Sequence, residues 1–277
     1  MKVLEGVLEG VDSEEVFKAG PSMTIKNKKE TVERGNDFPQ YIGERKDLDN
    51  AMDFDSGYDM RLKTSFNCLV AGASGTGKTT FVKNLLKIGD QIFTTKPKKV
   101  FLFYSAMQDI YVQMEKEGLI HELIKIENKS IPSIEDFYAM VHPYKEDGGS
   151  MMIFDDVMSL VNTDFEQLFC NLSHHENCSI IFLTQNLFYK DKSFRTMSLN
   201  SHYIVLMKND RDKMQTSILG RQFSPGNSRF ISDCYTDATK KAFSYLLLDF
   251  KPDSPPLLRV KTNIFPHEFP IVAYFEK

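Results

Sequence analysis

Phe66-Asn-Cys-Leu-Val-Ala71 runs directly into Gly72-Ala-Ser-Gly-Thr-Gly77-Lys78-Thr79. The first part is an apolar run of strand length, and the second matches the pattern G-x-x-x-x-G-K-[ST]. After the match, apolar residues recur at helical spacing from Phe81 to Leu86, which predicts an amphipathic helix. Glycines let consecutive backbone N–H groups turn towards phosphate oxygens, and a helix N-terminus adds partial positive charge. The order of strand, loop and helix therefore predicts a phosphate-binding loop; the alternative is a glycine-rich surface turn.

The pattern also assigns individual residues to a nucleotide. We expect Lys78 to reach the β- and γ-phosphates of ATP, and the Thr79 hydroxyl to hold Mg²⁺. The predicted nucleotide-binding residues are Gly72, Ala73, Ser74, Gly75, Thr76, Gly77, Lys78, Thr79 and Thr80.

A second apolar run, Met151-Met-Ile-Phe154, ends in the acidic pair Asp155-Asp156. An NTPase with a phosphate-binding loop needs a carboxylate on a neighbouring strand, and Asp155 is our candidate for holding Mg²⁺. Asp156 is then placed to polarise the attacking water as a general base. Many ATPases have the longer Glu at this position, which leaves the reach of Asp156 open. An acidic turn that only ends a strand is the alternative.

A third buried run ends in amides, as Ile180-Ile-Phe-Leu-Thr184-Gln185-Asn186. In α/β sheets the carboxyl ends of the strands border the ligand crevice. Gln185 is therefore a candidate for a hydrogen bond to the γ-phosphate or to its attacking water. A polar loop residue without such a role explains the same pattern.

Apolar runs and helical segments alternate along most of the chain. Predicted strands are Phe66–Ala71, Val100–Tyr104, Met151–Phe154, Ser179–Leu183, Tyr203–Met207, Phe243–Leu248 and Leu257–Val260, with a short one near Met23–Ile25. Predicted helices are Thr79–Ile88, Ile110–Glu117, Ser133–Val141 and Asp164–Leu172, and another begins at Asp210. The third opens with Ser133, followed three residues later by Asp136, which is a capping pattern. Continuous apolar strands that alternate with helices favour a mainly parallel sheet with helices on both faces. The predicted fold class is α/β, of the P-loop NTPase type.

Composition bounds the class of protein. The chain has 277 residues, 26% of them charged and 12% aromatic, which excludes an intrinsically disordered protein. No apolar run approaches the roughly 18 residues of a spanning helix, and the first residues do not resemble a signal peptide. The cysteines, at positions 68, 170, 178 and 234, lack the spacing of a disulfide framework. We expect a soluble intracellular protein without a membrane partner.

Charge divides the chain more finely. Residues 1–60 hold 8 basic and 14 acidic side chains, and we predict an acidic N-terminal arm over 1–58 and an ATPase domain over 59–277. Residues 189–229 hold 8 basic and 3 acidic side chains. Such a segment attracts polyanions, although a basic run is more often only a solvated face.

Taken together, these segments resemble the viral genome-packaging ATPases of the FtsK–HerA superfamily. The resemblance covers about residues 60–270. Its specific parts are Ser173-His-His-Glu-Asn177 and Thr184-Gln-Asn-Leu-Phe188, followed by Arg195-Thr-Met-Ser-Leu-Asn200. The proteins of Polinton/Maverick elements, adintoviruses and virophages are most similar, and the poxvirus packaging ATPases are more distant.

The resemblance implies a ring-shaped, homo-oligomeric motor that uses ATP hydrolysis to push double-stranded DNA into a capsid. It makes Gln185 the sensor glutamine. It also implies an arginine that reaches the γ-phosphate of the next subunit, with Arg195 as first candidate and Arg221 as second. Implied partners are DNA and a capsid or portal protein, and implied locations are the host nucleus, the virus assembly site or the virion.

Other readings stay open at this point. A helicase or DNA pump of the same superfamily would act without a capsid. A P-loop kinase for a small molecule is a different class, and a regulator that only binds nucleotide is a further one. Cys170-x-x-x-His174-His175-x-x-Cys178 has the chemistry of zinc ligands, but it spans the end of a helix and the start of a strand, which leaves little slack for a tetrahedral site. Buried thiols and loop histidines are the alternative.

Overall fold

The computed structural model describes residues 4–5, 59–127, 132–158, 161–188, 192–211, 214–268 and 271–276. The strand predicted near Met23–Ile25 lies outside these residues, as does nearly all of the arm predicted over 1–58. Contacts divide the chain into a central unit, Arg61–Asn209, and a terminal unit, which joins Met1–Met60 to Asp210–Lys277. The predicted boundary at residue 58 stays a prediction.

The elements follow in chain order. The terminal unit contributes β1 (Leu4–Glu5) first. The described strands of the central unit are β2 (Asn67–Ala71), β3 (Lys99–Tyr104), β4 (Glu122–Lys125), β5 (Ser150–Asp155), β6 (Cys178–Thr184) and β7 (Tyr203–Met207). Its described helices are α1 (Lys78–Lys87), α2 (Gly89–Ile92), α3 (Asp109–Lys116), α4 (Ile134–Val141), α5 (Thr163–His175) and α6 (Lys192–Leu199), with a 3-10 turn at His142–Tyr144.

The strands of the central unit form one parallel sheet in the order β7-β2-β6-β5-β3-β4. Every residue of β2, β5, β6 and β7 is buried, so both faces of these strands are covered. Parallel strands that are covered on both faces read as continuous apolar runs, which is the pattern from which the strands were predicted. The predicted α/β fold with a mainly parallel sheet is confirmed.

Local signals in the sequence set the helices that flank the sheet. Helix α1 buries Phe81, Val82, Leu85 and Leu86, the apolar face expected from their spacing. At the start of α4, the Ser133 side chain accepts the Asp136 backbone N–H, and the Asp136 carboxylate accepts the Ser133 backbone N–H. This reciprocal pair is the predicted capping box.

An aromatic layer supports the middle of the sheet. Phe103 of β3 stacks on Phe154 of β5 with ring centroids 4.7 Å apart, and Phe154 is 6.2 Å from Phe182 of β6. Phe165 of α5 meets the Phe154 ring edge-on at 4.9 Å. Because Phe154 is packed in this way and immediately precedes Asp155, the layer fixes the backbone that carries the predicted acidic pair.

The terminal unit is built from antiparallel strands and helices. Its remaining described elements are α7 (Met214–Phe223), α8 (Phe230–Ala238), β8 (Tyr245–Asp249), β9 (Val260–Thr262) and β10 (Val272–Tyr274), with 3-10 turns at Pro225–Asn227, Pro256–Leu258 and Pro266–Glu268. The strands pair antiparallel in the order β8-β9-β10-β1. Asp249 and Lys261 form a buried ion pair of 3.2 Å between β8 and β9.

Three predicted elements of this unit begin later than expected. The strand predicted over Leu257–Val260 starts at Val260, because Pro255 and Pro256 lack backbone N–H donors and lead into a 3-10 turn. The strand predicted from Phe243 starts at Tyr245, since Phe243 has a left-handed φ of 61°. The helix predicted from Asp210 is described from Met214.

Candidate functional site

The site is built where the strands of the central sheet end. Ala71 of β2 is paired with Thr184 of β6, and Asp155 of β5 with Leu183 of β6. Tyr104, the last residue of β3, is paired with Asp155. The loops that follow these four strands therefore emerge at the same edge of the sheet.

The glycine-rich loop, residues 72–79, joins β2 to α1 as predicted. A Cβ atom at Gly72 would lie 2.6 Å from Thr76 Oγ1 and 2.7 Å from Met207 Cβ, so no larger residue fits without movement. Gly77 precedes the first residue of α1 with a φ of 94°, which glycine adopts without strain. The two glycines of the motif are thus required by packing at one end of the loop and by backbone conformation at the other.

Side chains close this loop on itself. The Thr76 hydroxyl donates to the carbonyl of Ala73 at 2.8 Å. The Lys78 ammonium donates to the carbonyls of Gly72 and Ala73 at 2.7 and 3.0 Å. Burial lowers the pKa of Lys78, while the nearby carboxylates of Asp155 and Asp156 oppose that shift. Lys78 is therefore a partly buried cation between the loop and the acidic pair.

Asp155 joins three elements at one carboxylate oxygen. Its Oδ2 accepts the Thr79 hydroxyl of α1 at 2.8 Å and the Tyr111 hydroxyl of α3 at 2.9 Å. Asp155 and Tyr111 are both buried. Desolvation, followed by the charge of Asp155, raises the pKa of Tyr111, so the phenol keeps its proton and acts as the donor. The sequence places Tyr111 in a predicted helix and carries no signal of this contact.

Asp156 differs sharply from its neighbour. It is exposed, it lies in the turn after β5, and it has a φ of 58°. The Ser105 hydroxyl lies 3.4 Å from its Oδ2. Asp and Asn tolerate this left-handed conformation better than Glu does, which gives a backbone reason for the shorter acid at this position.

Gln185 lies at the same edge of the sheet, directly after Thr184 of β6. Its side chain is exposed. Thr184 turns inwards instead, and its hydroxyl donates to the Asn186 carbonyl at 2.8 Å and accepts the Asn186 backbone N–H at 3.2 Å. Because β6 lies between β2 and β5, Gln185 leaves the sheet between the glycine-rich loop and the acidic pair.

The two candidate arginines lie apart from these contacts. Arg195 is exposed on α6, and it makes no hydrogen bond or ion pair with any residue that the structure describes. Arg221 is exposed near the end of α7 in the terminal unit, where its Nε contacts the Ser217 carbonyl at 3.4 Å. Of the other predicted nucleotide-binding residues, Ser74, Gly75 and Thr80 are exposed.

The donors around Asp155 suit Mg²⁺ better than zinc. A hydroxyl and a carboxylate are oxygen ligands, which a hard divalent cation prefers. Thr79 and Asp155 are close enough to share a hydrogen bond, so both can address one ion. By contrast, no group of three His, Cys, Asp or Glu side chains among the described residues could hold a metal, including the segment from Cys170 to Cys178. Burial raises the pKa of Cys178 to about 12, which disfavours a thiolate.

A match to a family model identifies the protein family of this chain. The model described as "Poxvirus A32 protein" matches residues 53–221, more than half of the chain. The chain belongs to the poxvirus A32 protein family. The predicted resemblance to viral packaging ATPases of the FtsK–HerA type is therefore confirmed, and the A32-matched segment contains every residue predicted for the site.

A solved viral structure shares the fold. The genome packaging NTPase B204 from Sulfolobus turreted icosahedral virus 2, in complex with sulfate, is 10% identical over 73% of this chain and 97% of B204, with a TM-score of 0.50. B204 from Sulfolobus turreted icosahedral virus is 12% identical over 73% of this chain and 98% of that one, with a TM-score of 0.48. The cytoplasmic domain of the Thermomonospora curvata type VII secretion ATPase EccC is 12% identical over 76% of this chain and 25% of that one, with a TM-score of 0.44. No curated protein matches the sequence.

One of the segments on which the predicted resemblance rests lies at the opposite edge of the sheet. Ser173–Asn177 spans the end of α5 and leads into the first residue of β6. Buried Glu176 contacts the His142 ring nitrogen at 2.9 Å and the Lys145 ammonium at 3.6 Å. Asn177, with a φ of 48°, reverses the chain there, and its carbonyl accepts the Ser150 backbone N–H. This segment joins α5 to the amino ends of β5 and β6.

Among the described residues, no helix is both long and apolar enough to cross a membrane. The four cysteines are all free thiols.

Proposed function

We propose that this protein is an ATP-hydrolysing motor that translocates double-stranded DNA and packages a viral or virus-like transposon genome into a capsid. One observation carries the proposal. The Thr79 hydroxyl and the Asp155 carboxylate, from the glycine-rich loop and from the acidic strand end, meet at 2.8 Å. Membership of the poxvirus A32 family supports a packaging role, and B204, with which the chain shares its fold, is named a genome packaging NTPase.

The predicted site residues at this edge have separate tasks in phosphoryl transfer from ATP to water. The backbone N–H groups of the glycine-rich loop bind the phosphates, and Lys78 supplies a positive charge next to them. Asp156 accepts the proton of the attacking water, and the Gln185 amide orients that water. The exposed positions of Asp156 and Gln185 at the ends of adjacent strands support these roles.

Thr79 and Asp155 are the residues that would hold Mg²⁺. When bound, the ion neutralises negative charge on the phosphate oxygens of the nucleotide. In the protein itself, the hydrogen bond between the two side chains keeps the hydroxyl and the carboxylate directed at the same point.

A ring of subunits completes the proposal. Arg195, whose side chain has no described partner, would reach the γ-phosphate of the neighbouring subunit. The basic residues between 189 and 229 would contact DNA phosphates rather than bases, as a motor that must pass any sequence requires. We place the motor at the site of virus assembly, with a capsid or portal protein as its partner.

The first test is ATP hydrolysis with and without long double-stranded DNA, at low and at moderate salt, with Lys78→Ala as the blank. We expect DNA to stimulate hydrolysis and the stimulation to fade with salt, because cation–phosphate contacts release counterions. Hydrolysis that ignores DNA, with Lys78→Ala inactive, would contradict the DNA motor and favour a small-molecule kinase. DNA-stimulated hydrolysis without capsid binding would favour a helicase or DNA pump.

A further inference from the structure

Tyr111 is a buried polar group at the site to which the mechanism above gives no task. It lies in the first turn of α3, the helix after β3, and its ring packs on Tyr104 with centroids 5.5 Å apart. Its hydroxyl is 2.9 Å from Asp155 Oδ2, the same oxygen that accepts the Thr79 hydroxyl. Tyr111 is fully buried, and its hydroxyl donates to the carboxylate that is predicted to hold the metal, so the hydroxyl is a candidate for a role at that carboxylate.

The hydrogen bonds of Asp155 are unequally divided between its two oxygens. Thr79 and Tyr111 both donate to Oδ2, whereas Oδ1 accepts no hydrogen bond from any residue that the structure describes. Two donors on one oxygen fix the rotation of the carboxylate about its last bond and leave Oδ1 available. The Thr79 hydroxyl is itself the other proposed Mg²⁺ ligand. When it binds the ion, Tyr111 is the described donor that still holds Asp155 Oδ2.

We infer that Tyr111 is a positioning residue, which orients the Asp155 carboxylate for Mg²⁺ through the hydrogen bond to Oδ2. The inference rests on the proposed ATPase function and deepens it. Groups that hold metal ligands in place typically contribute about 10- to 100-fold in metal affinity or activity. Tyr111 would therefore act on the Mg²⁺-dependent part of nucleotide binding, and not on the contacts between the phosphates and the glycine-rich loop.

The test compares Tyr111→Phe with two matched variants in the full chain. Tyr104→Phe alters the neighbouring ring. The hydroxyl that it removes makes no hydrogen bond to a described residue. Tyr203→Phe removes a hydroxyl that accepts the Lys63 backbone N–H at 2.9 Å, and so reports the cost of losing an unrelated tyrosine hydrogen bond. For each protein, ATP binding is measured by the rise in Tm, with EDTA and across a Mg²⁺ titration, and ATP hydrolysis is measured across the same titration. A rise in Tm also reports binding to a variant of lowered stability.

We expect Tyr111→Phe to bind ATP in EDTA like the wild type, and to need about 10-fold more Mg²⁺ for half-maximal Tm rise and hydrolysis. Both control variants should follow the wild-type Mg²⁺ curve. A Tyr111→Phe curve that coincides with the wild type overturns the inference. So does an equal loss of ATP affinity with EDTA and with Mg²⁺, or a Tyr111→Phe chain that fails to fold while Tyr203→Phe folds, because either result assigns the hydroxyl a structural role.

The outcomes for the proposed function are separate. Wild-type protein that binds ATP but ignores DNA contradicts the DNA motor and leaves the Mg²⁺ comparison valid. Wild-type protein whose Tm does not respond to ATP contradicts the ATPase proposal, and the inference about Tyr111 falls with it.

Discussion

Two adjacent carboxylates at the end of β5 show how environment separates the roles of identical side chains. Asp155 is buried and accepts two hydroxyl donors on one oxygen, so its orientation is fixed. Asp156 is exposed, with a left-handed backbone and a single distant hydroxyl neighbour, Ser105. A fixed carboxylate suits a metal ligand, and an exposed one suits proton transfer with water. The residue pattern alone could not establish this difference.

Asp156→Asn tests the proposed general base. Asn tolerates a positive φ as Asp does, so the backbone of the turn is kept and only the carboxylate is lost. We expect hydrolysis at saturating ATP to fall about 100-fold or more, with ATP binding unchanged. The measurement pairs steady-state hydrolysis with an ATP-binding titration. Wild-type hydrolysis by Asp156→Asn would show that another group accepts the proton.

At the scale of elements, the sequence predicts the fully buried strands of the central unit more accurately than the other strands and helices. The run predicted at Tyr203–Met207 has the same bounds in the structure, and Val100–Tyr104 is one residue short of β3. These strands are buried on both faces, and so they are marked by unbroken apolar runs. The elements β1, β4, β10, α2, α6 and α8 were not predicted. Strand β4 has no fully buried residue and β10 is only three residues long, so neither leaves a clear apolar pattern.

Helix α4 offers a test of a local signal that the sequence predicted. Ser133→Ala removes the side-chain half of the capping box and leaves the Asp136 backbone N–H without its acceptor. We expect a loss of about 1 kcal/mol in the free energy of unfolding, measured by urea denaturation. ATP hydrolysis should not change, because Ser133 takes no part in the site.

Ser228→Ala is the matched control for that variant. Ser228 is exposed, and its side chain makes no hydrogen bond to a residue that the structure describes. Its substitution should leave the unfolding free energy within about 0.5 kcal/mol of the wild type. Equal effects of the two substitutions would show that the capping box contributes nothing specific to stability.

At the scale of the whole molecule, the proposal requires more than one copy of the chain. The central unit supplies Lys78, Thr79, Asp155, Asp156 and Gln185 from a single chain. Arg195 belongs to the same unit, but no described hydrogen bond or ion pair joins its side chain to these residues. An exposed arginine without a described partner fits a residue that acts on the site of a neighbouring subunit, and this placement can be tested by mixing subunits.

Arg195→Ala and Lys78→Ala proteins should each lack activity alone, and should recover it when mixed. The Lys78→Ala subunit still supplies the arginine, and the Arg195→Ala subunit still binds ATP. Random assembly of an equimolar mixture would restore about one quarter of the active sites. The measurement is DNA-stimulated hydrolysis after subunit exchange, with exchange verified on labelled chains.

Lys192→Ala is the control, because Lys192 is another exposed cation on α6. It should be active without mixing. If the mixture of Arg195→Ala and Lys78→Ala stays inactive after full exchange, Arg195 does not act between subunits. Arg221 is then the next residue to mix.

The α/β class, the glycine-rich loop and the acidic strand end follow from the amino-acid sequence alone. Each depends on a short local pattern: an unbroken apolar run, glycines at fixed spacing before Lys78, and acids directly after a strand. Such patterns are contained within about ten neighbouring residues, so they can be recognised without knowing which distant segments pack against them. Gln185 was likewise found because it follows a buried run.

Which of these segments meet depends on the folded arrangement of the strands and helices. The pairing of β3 with β5 brings Tyr111 to Asp155 across 44 positions of the chain, and nothing in the helical spacing around Tyr111 distinguishes it from a core residue. The structure also placed Ser173–Asn177 at the edge opposite the glycine-rich loop, and gave Asp156 a backbone that favours Asp over Glu. Strand order and register set these contacts, and they follow from packing among distant segments, which a local pattern does not record.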